Sequence, residues 1–158
     1  MRHQRVKVAV AGERVAQVVE RNLDRADLAG IDLGAEAAPA QVLGDAWLLD
    51  DLLNNLVDNA LIYTPRGGRV TVRCGVHAEA PFLEVEDNGP GIPLAERQRV
   101  RERFYRSAGS PGSGSGLGLA IVDEIARVHG AQLAILSGSG GRGSRMRIQF
   151  SAQAAAGG

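Results

Sequence analysis

The sequence predicts a two-layer α/β sandwich, in which a mixed sheet of about five strands carries about three helices on one face. Segments with apolar residues at helical spacing alternate along the chain with shorter segments of alternating polarity. The short segments come in pairs around turns, which predicts hairpins and therefore a mixed sheet. Apolar residues make up 44% of the 158 positions and aromatic residues only 4%, so the core must be built from aliphatic side chains.

The first half of the chain predicts two long helices. The first covers residues 12–28 and ends at Gly30. Its apolar face is formed by Val15, Val18, Val19 and Leu23. In the second, over residues 45–63, Asp45 is the N-cap, and the helix ends at Thr64 because a residue before proline avoids helical dihedrals. Short strands are expected over 5–10, 31–35 and 40–43.

The second half predicts two hairpins and one further long helix. The hairpin strands are expected over 69–76 and 82–86, and over 133–136 and 146–150. A helix over 117–128 has Leu117, Ile121, Ile125 and Val128 on one face. The remaining segments are a loop over 87–93, a short helix over 94–103 and a mobile Gly/Ser-rich segment over 107–115. We therefore expect one domain over residues 1–151 and a disordered tail over 152–158.

Charge and cysteine content exclude several classes of function. The net charge is zero, which does not favour binding to nucleic acid. The single cysteine, Cys74, cannot form an intrachain disulfide and is interpreted as a small strand residue. The chain has no apolar run long enough to span a bilayer and no signal-peptide core at its N-terminus. The segment is therefore expected to be cytoplasmic, without direct membrane contact.

Two asparagines, Asn55 and Asn59, lie one turn apart in the second predicted helix. Residues four apart share one face of a helix, and asparagine is a poor helix former, so two of them inside an apolar helix need an explanation. Amide oxygens are neutral, hard ligands that suit Mg²⁺ together with its waters and a phosphate. Taken alone, the pair modestly favours a structural interpretation, in which the side chains cap a loop or are exposed.

The segment Asp87-Asn-Gly-Pro-Gly-Ile92 follows directly after a predicted strand. A carboxylate at a strand end can accept a hydrogen bond from an exocyclic amine, and spaced glycines let the backbone approach a flat ligand. Adenine presents such an amine at N6, whereas guanine presents an oxygen at the equivalent position. Taken alone, this combination favours a plain turn, because Asp, Asn, Gly and Pro are all turn formers.

A glycine-rich run over 112–119 leads into the predicted helix over 117–128. Free backbone N–H groups and the positive end of the helix dipole make such a junction a phosphate site, and a flexible linker is the alternative. A Walker A loop is excluded, because the only lysine, Lys7, is far from any glycine-rich loop. The run over 138–143 matches G-x-G-x-x-G, but it joins two predicted strands and is interpreted as a turn.

In their order and spacing, these motifs resemble the histidine-kinase branch of the GHKL ATPases, a superfamily with the Bergerat fold that also contains gyrase and MutL. The four boxes of that family are matched by residues 55–63 (N box), 87–91 (G1), 103–106 (F) and 114–119 (G2). The match extends from residue 44 to residue 150. The resemblance implies the catalytic domain of a two-component sensor kinase that uses ATP and Mg²⁺.

The resemblance also assigns roles to single residues. Asn55 and Asn59 would hold Mg²⁺, and Asp87 would accept a hydrogen bond from the adenine amine. Arg106 would reach the γ-phosphate and, with Asn55, is a candidate catalytic residue. Residues 107–115 would form a mobile lid over the phosphates. The complete set implied at the nucleotide is Asn55, Asn59, Tyr63, Asp87, Gly89, Gly91, Ile92, Arg103, Arg106, Gly114, Ser115, Gly116, Leu117, Gly118 and Leu119.

The first N-box position separates a kinase from a hydrolase. In the gyrase branch this position is a glutamate that activates water, whereas here it is Asn55, whose amide is not a general base. The chain departs from the family pattern at Ile62, where a basic residue is usual, and at Arg101, where phenylalanine is usual. Arg97 and Arg99 are interpreted as a solvated helix face.

The three histidines, His3, His77 and His129, do not have the sequence context of a phosphoacceptor. His129 and His77 are interpreted as structural, and a cationic His129 would be favoured at a helix C-terminus. The phosphoacceptor would then belong to a separate domain outside this chain.

Three hypotheses follow. In the first, the chain transfers the γ-phosphoryl of Mg·ATP to a histidine on a helical dimerisation domain, from which it passes to a response regulator receiver domain. The isolated domain would be a monomer, and the full-length kinase would be membrane-anchored. A protein-serine kinase of the anti-sigma-factor type is a variant of this hypothesis. The second is a hydrolytic GHKL ATPase, and the third is a degenerate nucleotide-binding adaptor, supported by Ile62 and Arg101.

Overall fold

The chain folds as a mixed five-stranded sheet covered on one face by helices, in a computed structural model that describes residues 7–97 and 118–152. Its α-helices are α1 (Ala11–Ala29), α2 (Ala46–Tyr63) and α3 (Gly118–Val128). Its strands are β1 (Val8–Val10), β2 (Asp32–Ala37), β3 (Gln41–Leu43), β4 (Arg69–His77), β5 (Ala80–Asp87), β6 (Gln132–Ser137) and β7 (Ser144–Gln149). The predicted fold class, a two-layer sandwich with a mixed sheet, is confirmed.

The five strands of the main sheet lie in the order β2-β4-β5-β7-β6. The outer strand β2 pairs parallel with β4, and every other pairing in this sheet is antiparallel. The hairpins β4–β5 and β6–β7 were both predicted. The sequence did not predict that β1 and β3 leave the main sheet and pair antiparallel with each other.

Local signals define the ends of the first two helices as predicted. Gly30 ends α1 in the left-handed conformation, with φ 71°, and its N–H donates to the carbonyls of Ala26 and Asp27. Asp45 caps α2 by accepting hydrogen bonds from the N–H groups of Trp47 and Leu48. The chain becomes extended at Thr64, the residue before proline.

The interior faces of α1 and α3 differ in part from the predicted faces. In α1, Asn22 is buried and Leu23 is 42% exposed, because the Asn22 amide donates to the Val18 carbonyl and to the Asn54 side chain of α2. In α3 the buried stripe is formed by Leu119, Val122, Ile125 and Ala126. The predicted face was therefore wrong at Ile121 and Val128, which are 38% and 65% exposed.

The face of the sheet opposite the helices carries a row of alternating charges. Glu36, Arg73, Glu84 and Arg147 are register partners on four adjacent strands. Glu84 is only 1% exposed, and its carboxylate accepts from Arg73 at 2.5 Å and from Arg147 at 2.7 Å. Because the long arginine side chains cover the carboxylate, this open face buries an acid that is fully paired.

Several predictions concern residues outside the described ranges. The predicted helix over 94–103 appears as a short 3₁₀ turn at Leu94–Glu96, and its remainder, from residue 98 onward, lies outside. The lid over 107–115 and the tail from residue 153 also lie outside. Cys74 lies in a strand, β4, as predicted, and its burial there raises the pKa of its thiol. In the part of the chain that is described, no helix is both long and apolar enough to cross a membrane.

Candidate functional site

The side chain of Asp87 lies at the end of β5, on the face of the sheet that the helices cover. Its Oδ1 accepts a hydrogen bond from the Gly89 N–H at 2.9 Å, and its Oδ2 accepts one from the Ser144 hydroxyl at 2.9 Å. Burial raises the pKa of this carboxyl, and the two hydrogen bonds oppose that effect only in part. Because a carboxylate offers about four acceptor positions, both oxygens can accept a further hydrogen bond.

The loop that follows Asp87 lies directly against the turn between β6 and β7. Gly91 has a φ of 81°, and a Cβ atom added to it would lie 2.8 Å from the carbonyl oxygen of Gly143. Gly143 has a φ of 73°, and a Cβ atom there would collide with the carbonyl oxygen of Asp87. The two backbones are in direct contact beside the carboxylate, and for that reason only glycine fits at either position.

The C-terminal end of α2 closes the same region from another side. A Cβ atom on Gly89 would lie 3.2 Å from the carbonyl oxygen of Tyr63 and 3.4 Å from Cα of Thr64. The Asn88 side chain accepts from the Arg69 N–H at 2.8 Å, which ties the loop to the start of β4. The hydroxyl of Thr64 is buried and, within the described residues, has no hydrogen-bond partner. Such a group normally binds a water molecule or a ligand.

The asparagine pair lies further back along α2, on the side of α3. The amide nitrogen of Asn55 donates to the carbonyl oxygen of Asp51 at 2.8 Å. Its amide oxygen faces Gly118, where an added Cβ atom would lie 3.6 Å away. Asn59 is half-buried one turn later. Asp58 lies on a different side of the helix, where it forms an ion pair with Arg25.

These amides are the oxygen donors that the site offers to a cation. Among the described residues, no three His, Cys, Asp or Glu side chains form a group that could hold a metal ion. A cation beside Asn55 and Asn59 would therefore rely on amide oxygens, water and ligand phosphates. These are the neutral and phosphate donors that suit Mg²⁺.

The start of α3 and the G1 loop contribute two apolar contacts. Leu119, in the first turn of α3, is buried, and Ile92 packs against the main core. The structure thus brings the predicted residues Asp87, Gly89, Gly91 and Ile92 into one loop, next to Tyr63. The other predicted residues, Arg103, Arg106, Gly114, Ser115, Gly116 and Leu117, lie outside the described residues.

Two contributors to this region were missed by the sequence analysis. The run over 138–143 is a turn, as predicted, but Gly143 packs on the loop after Asp87 and Ser144 donates to the Asp87 carboxylate. Sequence spacing gives no direct sign of this contact, because Ser144 lies 57 residues from its partner. Only the antiparallel register of β5 and β7, in which the two residues are partners, brings them together.

The interpretation of Arg97 as part of a solvated helix face was wrong. Its Nε donates to the Ile92 carbonyl at 2.9 Å, and its Nη1 donates to the Ile135 carbonyl at 3.3 Å. Its Nη2 donates to the Ser137 hydroxyl at 3.1 Å. The guanidinium group therefore binds the loop after β5 and the edge of β6.

His129 has a structural role, as predicted. Its Nδ1 lies 2.9 Å from the carbonyl oxygen of Ile125, and its Nε2 accepts from the Asp45 N–H at 3.2 Å. The ring joins the end of α3 to the N-cap of α2 and packs edge-on against Phe150.

Comparison with known proteins agrees with this architecture. The sensor protein kinase PmrB of Pseudomonas aeruginosa is 40% identical over 145 residues, which cover 90% of this chain and 30% of PmrB. The histidine-protein kinase/phosphatase MprB of Mycobacterium sp. (strain KMS) is 46% identical over 128 residues, or 77% of this chain and 24% of MprB. The chain therefore spans less than a third of the length of these curated relatives.

Solved structures give the same result for the fold. A structure of the mycobacterial sensor histidine kinase MprB superposes with a TM-score of 0.79 and is 34% identical, covering 92% of this chain and 97% of that one. Three helices over a five-stranded mixed sheet are thus the architecture of a histidine-kinase catalytic domain. The chain belongs to the histidine kinase-, DNA gyrase B- and HSP90-like ATPase family, whose model matches residues 44–154.

Proposed function

We propose that this chain is the ATP-binding catalytic domain of a sensor histidine kinase. It would transfer the γ-phosphoryl group of Mg·ATP to a histidine on a separate helical dimerisation domain. The observation that carries the proposal is the buried Asp87 carboxylate, which keeps acceptor capacity on both oxygens beside a glycine loop. The similarity to PmrB and MprB, both named as kinases, supports the same activity.

Asp87 would recognise the base. The carboxylate would accept a hydrogen bond from the N6 amine of adenine, while Gly89 and Gly91 allow the backbone to lie against the ring. Ser144 would hold the carboxylate in position from the opposite side. The unpartnered Thr64 hydroxyl supports a small polar ligand or a bound water at the same place. Tyr63 would border the base or the ribose.

Asn55 and Asn59 would hold the metal that accompanies the triphosphate. When bound, Mg²⁺ would neutralise charge on the phosphates. The described residues fit this role because the Asn55 amide oxygen faces the start of α3, where Gly118 leaves room for phosphates. Arg103, Arg106 and residues 114–117 would complete the phosphate site in the segment between residues 98 and 117.

The amide at position 55 supports phosphoryl transfer to a protein over hydrolysis. An amide cannot take a proton from water at ordinary pH. The nearby carboxylate of Asp58 is paired with Arg25 on another side of α2. The site would therefore hold ATP until an acceptor histidine arrives. In the full-length protein, the phosphoryl group would then pass to a response regulator receiver domain, on the cytoplasmic side of the membrane.

Calorimetric titration with a non-hydrolysable ATP analogue, with and without Mg²⁺, tests the nucleotide site. We expect binding that strengthens with Mg²⁺, and we expect Asn59→Ala to remove that dependence while Asn54→Ala, on a neighbouring side of α2, preserves it. Binding that ignores the metal in the wild type would contradict the assignment of the asparagine pair. The absence of binding at millimolar analogue would favour a degenerate adaptor module.

A second experiment tests the reaction. The full-length kinase, incubated with labelled ATP, should form an acid-labile, base-stable phosphohistidine, and the chain alone should release phosphate from ATP only slowly. Rapid Mg²⁺-dependent hydrolysis by the chain alone would instead indicate an ATPase of the hydrolytic type.

A further inference from the structure

Arg97 uses all three nitrogens of its guanidinium group to join the loop after β5 to the edge of the sheet. One nitrogen donates to the Ile92 carbonyl, in the same loop, and the other two donate to Ile135 and Ser137 of β6. Among the described residues, β6 is an outer strand of the sheet, and the outer edge of such a strand presents backbone groups to partners other than a neighbouring strand. Arg97 takes the place of that strand at the Ile135 carbonyl.

The contact lies in line with the carboxylate that would bind the base. Asp87, Ser144 and Ser137 are register partners on three adjacent strands. The Ser144 hydroxyl donates to Asp87, and the Ser137 hydroxyl accepts from Arg97. One end of this row is therefore Asp87, where the loop begins, and the other end is Ser137, which binds Arg97 at the far end of the same loop.

The loop is held along its whole length by these contacts. At its start the Asp87 carboxylate binds the Gly89 N–H, and in its middle Gly91 rests on Gly143. At its far end, the Arg97 side chain joins the loop to β6 by donating to the Ile92 carbonyl on one side and to Ile135 and Ser137 on the other. Without this fork, the residues after Gly91 would keep their contacts with the turn and with the core but lose these hydrogen bonds to β6.

We infer that Arg97 is a positioning residue for nucleotide binding, which keeps the loop between Asp87 and Arg97 in the shape that accepts the adenine base. The inference rests on the proposed function, because it assumes that this loop lines the base pocket. It assigns to Arg97 no contact with the nucleotide itself. Its action depends on the geometry of the planar fork and not on its positive charge, since three separate acceptors must be reached at once.

The test compares four forms of the chain by displacement of a fluorescent ATP analogue, using ADP and adenosine as competitors. The variants are Arg97→Ala, Arg97→Lys and Arg145→Ala. Arg145 is the matched control, because its Nε donates to the Ser137 carbonyl in the same part of β6, and within the described residues it forms no hydrogen bond with the loop. Thermal unfolding of each form ensures that affinities are compared at a temperature at which all are folded.

We expect Arg97→Ala to bind ADP about tenfold more weakly, as it would if the competent loop shape were populated about one-tenth of the time. Adenosine should weaken by the same factor, because the change lies at the base. Arg97→Lys should resemble Arg97→Ala, since a single ammonium group cannot replace the fork, and Arg145→Ala should bind as the wild type does.

Three results would overturn the inference. The first is an unchanged affinity for ADP in Arg97→Ala. The second is wild-type affinity in Arg97→Lys, which would indicate a role for charge alone. The third is a weaker affinity for ADP with an unchanged affinity for adenosine, which would locate the effect at the phosphates. Failure of the proposed function has a different signature. In that case the wild type itself would not bind ADP or adenosine, whereas the inference on Arg97 fails only when the wild type binds.

Discussion

Glu86 and Asp87 are adjacent acids at the end of β5, and their side chains lie on opposite faces of the sheet, in environments that shift their pKa values in opposite directions. Glu86 lies on the open face, where its carboxylate accepts hydrogen bonds from the Ser139 N–H and from Arg73. Burial raises its pKa, but these partners outweigh that effect and lower the pKa overall. Asp87 lies on the helix-covered face without a cationic partner among the described side chains, and burial raises its pKa.

This difference separates a structural charge from a functional one. On the open face, each acid is neutralised by arginines that the fold itself supplies, as in the row around Glu84. On the covered face of the sheet, the Asp87 carboxylate keeps unused acceptor capacity, which is costly in the absence of a ligand. A site that binds a ligand commonly retains such unfavourable groups at the expense of stability.

The largest effect is expected on the open face, at Glu84. Glu84→Ala would remove the buried carboxylate that pairs with both Arg73 and Arg147. The loss of this partner should lower the free energy of unfolding by about 3–5 kcal/mol. Chemical denaturation measures this loss. Glu36→Ala is the matched control, because Glu36 binds the same Arg73 from an exposed position, and its effect should stay below about 1 kcal/mol. Equal effects would refute the role of burial.

A change at Asp87 should act in the opposite direction on stability. Asp87→Asn retains an acceptor for the Gly89 N–H but removes the buried charge, so the unliganded protein should become about 0.5–2 kcal/mol more stable. The affinity for ADP should fall about 10- to 100-fold, as expected when a hydrogen bond to a charged group is lost. Denaturation and calorimetry on the same sample measure both. An Asp87→Asn variant that is less stable than the wild type and binds ADP with unchanged affinity would contradict the proposed difference between the two faces of the sheet.

A further effect, on both stability and affinity, is expected where the two glycine backbones meet. Gly91→Ala forces a Cβ atom to within 2.8 Å of the Gly143 carbonyl at a positive φ, which should cost about 1–3 kcal/mol. The affinity for ADP should fall as well, because the loop must move away from the turn. Gly67→Ala is a useful control, since Gly67 also has a positive φ but has open space around it. If both variants lose affinity equally, backbone strain alone explains the effect.

The smallest effect is a difference in pH dependence between the two acids. The raised pKa of Asp87 means that its cost to stability is present at neutral pH and disappears as the pH falls through that pKa to the ordinary value of an aspartate. The stability gained in Asp87→Asn should therefore vanish at acid pH.

Glu86 should behave in the reverse way. Its pKa is lowered, so its contribution is stabilising above the ordinary pKa of a glutamate and is lost as the pH falls through the lowered value. The loss in Glu86→Gln should also vanish at acid pH, but with the opposite sign. Denaturation curves between pH 3 and pH 7 would reveal this, and differences of the same sign would contradict the assignment of the two environments.

Sequence reasoning succeeded where the physical cause is local. The stop at Gly30, the cap at Asp45 and the extended residue before Pro65 each depend on a few neighbouring residues, and the structure has all three. The fold class followed from the order of helical and alternating segments. The loop that begins at Asp87 could be recognised because its residues are consecutive in the chain.

Sequence reasoning failed where partners are distant in the chain. Asn22 is interior because Asn54 of another helix accepts from it, and no periodicity reveals that bond. Ser144 and Arg97 belong to the site region only through the pairing of β5, β6 and β7. The same reason applies to His129, whose two ring nitrogens contact backbone groups that come together only in the folded chain.

The most direct test of a base-binding site at Asp87 is the preference for ADP over inosine diphosphate, in the wild type and in Asp87→Asn. Inosine presents an oxygen where adenine presents its amine, so a carboxylate rejects it and an amide can donate to it. We predict that the wild type prefers ADP by at least about tenfold and that Asp87→Asn loses or reverses this preference. Equal affinities in the wild type, or an unchanged preference in the variant, would contradict the account.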